Sequence, residues 1–227
     1  MGYTEVASQI FVPFHKHQRP IAFGGIFPRP AKVTVEIGFG HGEFLVRQVL
    51  EQPQSNFIGI EMDWGRFRKT CQRIGRLGKE ERRLVEEHLK TFHVDAWIFF
   101  ERICPAQSLE EVVCLFPCPW PKDRHVHHRL FSNEFLRLVN SRLKEGKTLT
   151  VVTDHWPYAD WIQEQSKERD TGFDLVTGKT GAKFETKFER KWLAAGQDVF
   201  CRMEFRKARH TDVPLKEDNP LKAYFHR

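Results

Sequence analysis

The sequence predicts an α/β fold, a Rossmann-like, mostly parallel twisted sheet with helices on both faces. Three observations predict it. Short apolar or β-branched runs alternate with amphipathic stretches, and the first run ends in a glycine cluster. The chain has 227 residues at 40% hydrophobic content, which suits one full-sized core better than two small ones.

Residues 1–31 are rich in Pro, Phe and basic groups and read as an irregular N-terminal arm, only partly ordered. The principal domain is expected over 32–207. VTVEI (33–37) is the first strand, and Phe44, Leu45, Val46, Val49 and Leu50 mark a helix from Glu43 to about Glu51. NFIGIEM (56–62) gives a second strand, followed by a basic helix from Trp64 to Gly75. KTFHV (90–94) leads into an apolar helix over Asp95–Ile103, and VVCLF (112–116) is the fourth strand. A helix from Asn133 to Leu143 ends ahead of Gly146, and TLTVVT (148–153) is the fifth strand. A helix from Trp156 to about Lys167 and a late strand VFCRMEF (199–205) complete the domain, leaving 208–227 as a polar tail.

The formal net charge is +6, which suits a polyanionic partner and equally an ordinary basic enzyme. No apolar run approaches the roughly 20 residues that span a bilayer, and no leader pattern opens the chain, so the expectation is a cytoplasmic protein with no membrane association. Cys71, Cys104, Cys114, Cys118 and Cys201 are scattered and form no CxxC pair. Neither a disulfide framework nor a structural zinc site is expected.

Ligands of open α/β sheets bind beyond the carboxyl ends of the strands. The first strand delivers Glu36 there, followed by Gly38, Gly40 and Gly42 and then a helix start. A dinucleotide loop would read GxGxxG, but Glu43 stands where its third glycine belongs. Glu36 and Glu43 would repel a pyrophosphate. They attract S-adenosylmethionine, which carries a sulfonium and an ammonium and no phosphate. Glu61, ending the second strand, suits the ribose hydroxyls, and Asp95, after the third, suits the adenine amino group. A plain tight turn is the competing reading of the glycines alone.

FPCPWPKDRHVHHRL (116–130) is the most unusual stretch. Three prolines restrict the backbone beyond the fourth strand, Trp120 offers a stacking face, and Lys122, Arg124, His125, His127, His128 and Arg129 form a basic run. A rigid solvated loop is one reading. A zinc site on the histidines is disfavoured by the cationic flanks and the lack of an acidic or cysteine partner at matching spacing. A phosphate-contacting surface with an aromatic platform fits better.

Taken with these segments, the sequence resembles the bacterial tRNA (guanine-N7)-methyltransferase family over most of 32–206. VEIGFGHGEFL (35–45), FIGIEM (57–62), VDA (94–96), FPCPWPKDRHVHHRL (116–130), TD (153–154) and TKFERK (186–191) carry the resemblance. It implies a class I S-adenosylmethionine-dependent methyltransferase acting on a guanosine in the tRNA variable loop, without an obligatory protein partner. Glu36, Gly38, Gly40, Gly42, Glu61 and Asp95 are then the cofactor residues. Lys122, Arg124, Asp154, Thr186, Lys187 and Glu189 would engage the target nucleoside, with Asp154 and Glu189 also catalytic. Duller readings stand beside these: Asp154 as the cap of the helix near Trp156, and Thr186 with Glu189 as a capping box.

Cys118 departs from the family's usual FPDPW pattern, whose aspartate is both cofactor-adjacent and catalytic. An ordinary thiol is mostly neutral at pH 7 where a carboxylate is charged, although neighbouring cations such as Lys122 and Arg124 favour thiolate. Guanine N7 has a free lone pair and no proton to lose, so its attack needs alignment and electrostatics rather than a general base. Two functions follow: an active methyltransferase using Asp154, Glu189 and Cys118, or a catalytically weak RNA-binding protein that keeps the cofactor pocket.

Overall fold

The computed structural model describes residues 3–181 and 183–216. Its seven strands are β1 (Val33–Ile37), β2 (Asn56–Ile60), β3 (Leu89–Phe92), β4 (Leu109–Leu115), β5 (Leu143–Thr153), β6 (Phe173–Gly181) and β7 (Val199–Lys207). They form one sheet in the order β3-β2-β1-β4-β5-β7-β6, parallel except where β7 runs antiparallel to both β5 and β6. Strand order reverses between β1 and β4, which places a crevice at their carboxyl ends.

The helices are α1 (Tyr3–Ile10), α2 (Glu43–Glu51), α3 (Trp64–Ile74), α4 (Lys79–His88), α5 (Ala96–Ile98, continued by a π-helical turn Phe99–Ile103), α6 (Asn133–Arg142), α7 (Trp156–Glu168) and α8 (Lys187–Ala194). Alternating strand residues divide between two faces. Val35, Ile58, Val112, Val151 and Met203 join the core beneath α5, α6 and α7. On the opposite face α1–α4 pack through Val6, Leu45, Val49, Phe67 and Val85. Phe184, just before α8, covers Val113, Leu115, Val152 and Phe200 there. No helix among the described residues is long and apolar enough to cross a membrane.

Three segments differ from the sequence expectation. The N-terminal arm begins with a helix, because Val6 and Ile10 lie on one face and bury against α3 and α4. The chain then binds the sheet edge through the Val12 N–H to the Thr91 carbonyl at 2.9 Å, and Val12, Ile21 and Phe27 enter the core. α4 escaped notice because KEERRLVEEH is almost wholly charged, with only Val85 and His88 buried. β6 did so because it is an exposed edge strand containing two glycines, aligned only by its pairing with β7.

The start of the expected tail is also packed. Thr211 donates from its N–H to Asn140 Oδ1 at 2.9 Å, and Arg142 Nη1 donates to the Val213 carbonyl at 3.0 Å. Arg142 is itself buried and donates from Nε to the Phe100 carbonyl at 2.7 Å. The remainder of that tail, 217–227, lies outside the described residues. Arg142→Ala leaves two carbonyls without these donors, so it should destabilise the fold by about 3 kcal/mol. Thermal denaturation together with limited proteolysis near 208–216 measures this; an unchanged melting point with unchanged protection would refute the role.

Candidate active site

The turn after β1 is built by glycines with left-handed backbone. Gly38 has φ +70° and open space where a Cβ would stand, so a ligand can approach the backbone there. Gly42 has φ +69°, and a Cβ on it would lie 2.5 Å from the Thr70 side chain, so α3 packs directly on the loop. Gly40, also left-handed at φ +56°, donates its N–H to Glu61 Oε2 at 3.0 Å.

Glu36 sits at the β1 tip, 4% exposed, and its Oε2 is buried with no hydrogen-bond partner among the described residues. Burial, reinforced by the negative charges of Glu43 and Glu61 and opposed by Arg47, pushes its carboxyl up to about 8. An orphaned carboxyl beside an open glycine backbone fits a cationic ligand with no phosphate.

Glu61 does more than await a ribose. Its Oε1 accepts from the Met62 and Asp63 N–H groups at 2.9 and 3.0 Å, while Oε2 holds Gly40. Three of the roughly four lone-pair positions of a carboxylate are therefore in use within the protein. Met62, 59% exposed beside it, adds an apolar surface that sequence reading missed. Asp95 caps α5, its Oδ1 accepting from the Trp97 N–H at 2.8 Å.

Across the crevice, the proline segment leaves β4 through Phe116 (φ +54°) and reaches Trp120 (φ +43°), both left-handed without being glycine. The strain is held by Phe116 N–H to the Val152 carbonyl at 2.7 Å and by Arg129 Nε to the Pro119 carbonyl at 3.0 Å. Arg129 also lies over the Tyr158 and Trp161 rings of α7, so this cation fastens the loop. Cys118 is exposed within the loop while the other four cysteines are buried. Lys122 and Arg124 are exposed at the 3-10 turn Asp123–His128. Trp120 packs with His125 and His128, its ring centroid 5.7 and 4.9 Å from theirs.

Asp154 follows β5 and is half-buried. It is not the cap of α7: His155 takes that place, its Nδ1 accepting from the Tyr158 N–H at 3.1 Å. The Asp154 carboxylate thus has no partner among the described residues, while its carbonyl accepts from Gln197 Nε2 at 3.2 Å. Asp154, Trp156, Lys179 and Asp198 line an open hollow of about 570 Å³.

Glu189, expected to engage the target nucleoside, is 2% exposed, and its carboxylate accepts from the Lys183 and Phe184 N–H groups at 2.7 and 2.9 Å, and from the Glu185 N–H. Thr186 caps α8, its Oγ1 accepting from the Glu189 N–H at 3.1 Å. Of the reciprocal capping box only this half forms, because the glutamate side chain reaches past Thr186 to the preceding turn. Lys187 stays exposed. Arg47 of α2 holds the same turn from outside, donating to the Phe184 carbonyl at 3.1 Å and pairing with Glu185 at 2.8 Å. Nothing in the local sequence marks Arg47 for this task, since its partners lie more than a hundred positions away.

A family model described as a putative methyltransferase matches residues 30–202. A tRNA (guanine-N(7)-)-methyltransferase of Chlorobium phaeobacteroides is 41% identical over 181 residues, covering 80% of this chain and 84% of that protein. The chain belongs to the tRNA (guanine-N(7)-)-methyltransferase family. Another member, from Nitrosococcus oceani, is 34% identical over 183 residues, covering 80% of this chain and 74% of its own length. Among solved structures, a 16S rRNA (adenine(1408)-N(1))-methyltransferase from Catenulisporales acidiphilia superposes with a TM-score of 0.56 at 13% identity, over 92% of this chain and 95% of that one. That likeness concerns the fold alone.

In this family member the Glu36 carboxyl binds its proton more tightly folded than unfolded. Its contribution to stability is present below its ordinary value of 4.5 and is lost as pH rises through about 8. Melting temperature should therefore fall between pH 5 and 8.5 more steeply for the native chain than for Glu36→Gln. Parallel profiles in scanning fluorimetry would show that Glu36 does not titrate this way.

Proposed function

We propose that this chain transfers a methyl group from S-adenosylmethionine to N7 of a guanosine in the tRNA variable loop, in the cytoplasm and without an obligatory second subunit. The observation that carries the reading is the orphaned Glu36 oxygen beside open Gly38 at the carboxyl end of β1; beyond the neighbouring β4, Asp154 follows the β5 tip with no carboxylate partner among the described residues.

When bound, S-adenosylmethionine supplies an electrophilic methyl group on a sulfonium. Glu36 gives up its proton and holds the positive end of the donor. Met62 offers an apolar surface, and Glu61 and Asp95 retain acceptor capacity toward ribose hydroxyls and an adenine amino group. Asp154 accepts hydrogen bonds from the guanine N1–H and amino group, and its negative charge favours the purine that becomes cationic as N7 attacks. Lys122 and Arg124 hold flanking phosphates. Glu189 acts as a positioning residue by ordering the 183–185 turn. Cys118 occupies the place of the family's usual aspartate, and this motivates the second reading, a catalytically weak RNA-binding protein.

Methyl transfer from labelled S-adenosylmethionine to unmodified tRNA, followed by cleavage at 7-methylguanosine, tests the proposal; donor binding without methylated product in the variable loop counts against it. Asp154→Asn should lower kcat/KM for tRNA about 100-fold while leaving donor affinity unchanged. Cys118→Asp separates the two readings. A rate within about threefold of the native chain means the thiol suffices, whereas a gain on the order of 100-fold marks the native chain as weak.

A further inference from the structure

Glu43, the first residue of α2, joins three elements. Its Oε1 lies 3.1 Å from Arg73 Nη2 on α3 and 2.8 Å from Arg190 Nη2 on α8. Arg73 Nε also donates to the His41 carbonyl at 3.1 Å, which ties the glycine loop into the same joint. Two guanidinium groups around one largely buried carboxylate give this level a structural purpose.

One turn nearer the crevice, the same two helices carry exposed lysines, of which Lys69 is near enough to Asp63 to favour its carboxylate without forming an ion pair with it. Lys69 precedes Arg73 by four residues and Lys187 precedes Arg190 by three, so each lysine shares the helix face of its arginine. α3 begins just beyond the β2 tip and α8 shortly after the β6 tip, so the earlier residues are the ones closer to the rim. Both lysines are exposed, and neither has an ion-pair or hydrogen-bond partner among the described residues. His41 lies between them in the glycine loop, half-buried. Burial holds its imidazolium down; Glu43 opposes this, while Lys69, Lys187 and Arg66 push the same way as burial, so both lysines act on this ring. Arg66 is already committed to Glu61 and Asp63, at 3.6 and 3.9 Å.

We propose that Lys69, Lys187 and His41 form a clamp for an RNA backbone phosphate on the α3–α8 side of the crevice. It deepens the reading of the chain as a tRNA methyltransferase and rests on it. The Lys122–Arg129 segment belongs to the other face of the sheet, since Arg129 packs on α7 and Leu130 and Phe131 enter the core beneath it. The two cationic surfaces therefore bracket the crevice, and RNA held by both presents a nucleotide over the β4 and β5 tips between them. The lysines meet phosphate as mobile point charges, while the imidazole contributes an N–H donor.

The test compares full-length native protein with Lys69→Glu, Lys69→Ala, Lys69→Arg and Lys187→Glu, and with Lys79→Glu as a charge control at the start of α4. Affinity for unmodified tRNA is measured across salt concentrations, S-adenosylmethionine affinity by calorimetry, and folding by melting temperature. Lys69→Glu and Lys187→Glu should each weaken tRNA binding about tenfold and reduce the log–log salt slope by about 0.7–0.9. Lys69→Ala should lose the same slope increment, Lys69→Arg should bind as the native chain does, and donor affinity and melting temperature should stay unchanged. Native-like tRNA affinity in Lys69→Glu overturns the clamp, and so does an equal loss in Lys79→Glu. Loss of donor affinity also overturns it, by making the donor's carboxylate the anion held. If native protein neither binds nor methylates tRNA, the proposed function and the clamp fall together; if it does both while Lys69→Glu matches it, only the clamp falls.

Discussion

The hydrogen bond from the Gly40 N–H to the Glu61 carboxylate, 3.0 Å long, joins the tip of β2 to the turn that follows β1. A second contact, Gly42 against the Thr70 side chain, seats that turn on α3. Between them these contacts set where α2 begins. Glu43 consequently stands where Arg73 and Arg190 both reach it, and Arg47, one turn later, grips the segment before α8. The left-handed backbone of the loop is thus the constraint on which the placement of α3, α2 and α8 depends. A side chain at Gly42 would oppose all three at once.

The same arrangement separates acids that hold the protein from acids left for a ligand. Glu61 and Glu189 satisfy backbone N–H groups, and both are nearly buried. Such bonds order the loops that carry them. Glu36 and Asp154 do neither. Among the described residues, one is buried without a partner for Oε2 and the other is half-buried with no partner for its carboxylate, and they lie at the ends of β1 and β5 on either side of β4. Unpaired buried or half-buried acids are costly unless something cationic or proton-donating meets them. That asymmetry, rather than the number of acids at the rim, is the electrostatic argument for a ligand site.

Strain is concentrated at the same rim. Phe116, Trp120 and Glu185 adopt left-handed backbone without being glycine; Phe116 and Glu185 are restrained by Val152 and Arg47, far along the chain, and the Trp120 segment by Arg129 of the same loop. Phe116 and Phe184 meet at a ring-centroid distance of 6.4 Å, so the proline loop and the turn before α8 are packed as one unit. Apolar packing supplies the rigidity that short polar loops lack, and it keeps Cys118 and Asp154, whose side chains form no bonds among the described residues, on a stable backbone.

Much of this was legible in the sequence. The alternation of strands and helices gave away the α/β class, and the position of the glycines after VTVEI located the left-handed turn at the sheet's carboxyl edge, because both follow from local periodicity and from backbone freedom that only glycine has. Helices and strands without a periodic apolar signal stayed hidden: α4 is nearly all charge, and β6 exists through its pairing with β7. Side-chain commitment was equally illegible. Sequence put both Asp154 and Glu189 at the target nucleoside, with a helix cap as the duller reading of Asp154; folding sets Glu189 under three N–H groups and gives the cap to His155. Residue type and spacing determined which chemistry the rim can hold. Only the tertiary structure decided which carboxylates remain free to perform it, because their partners are backbone groups brought close by folding and not by order along the chain.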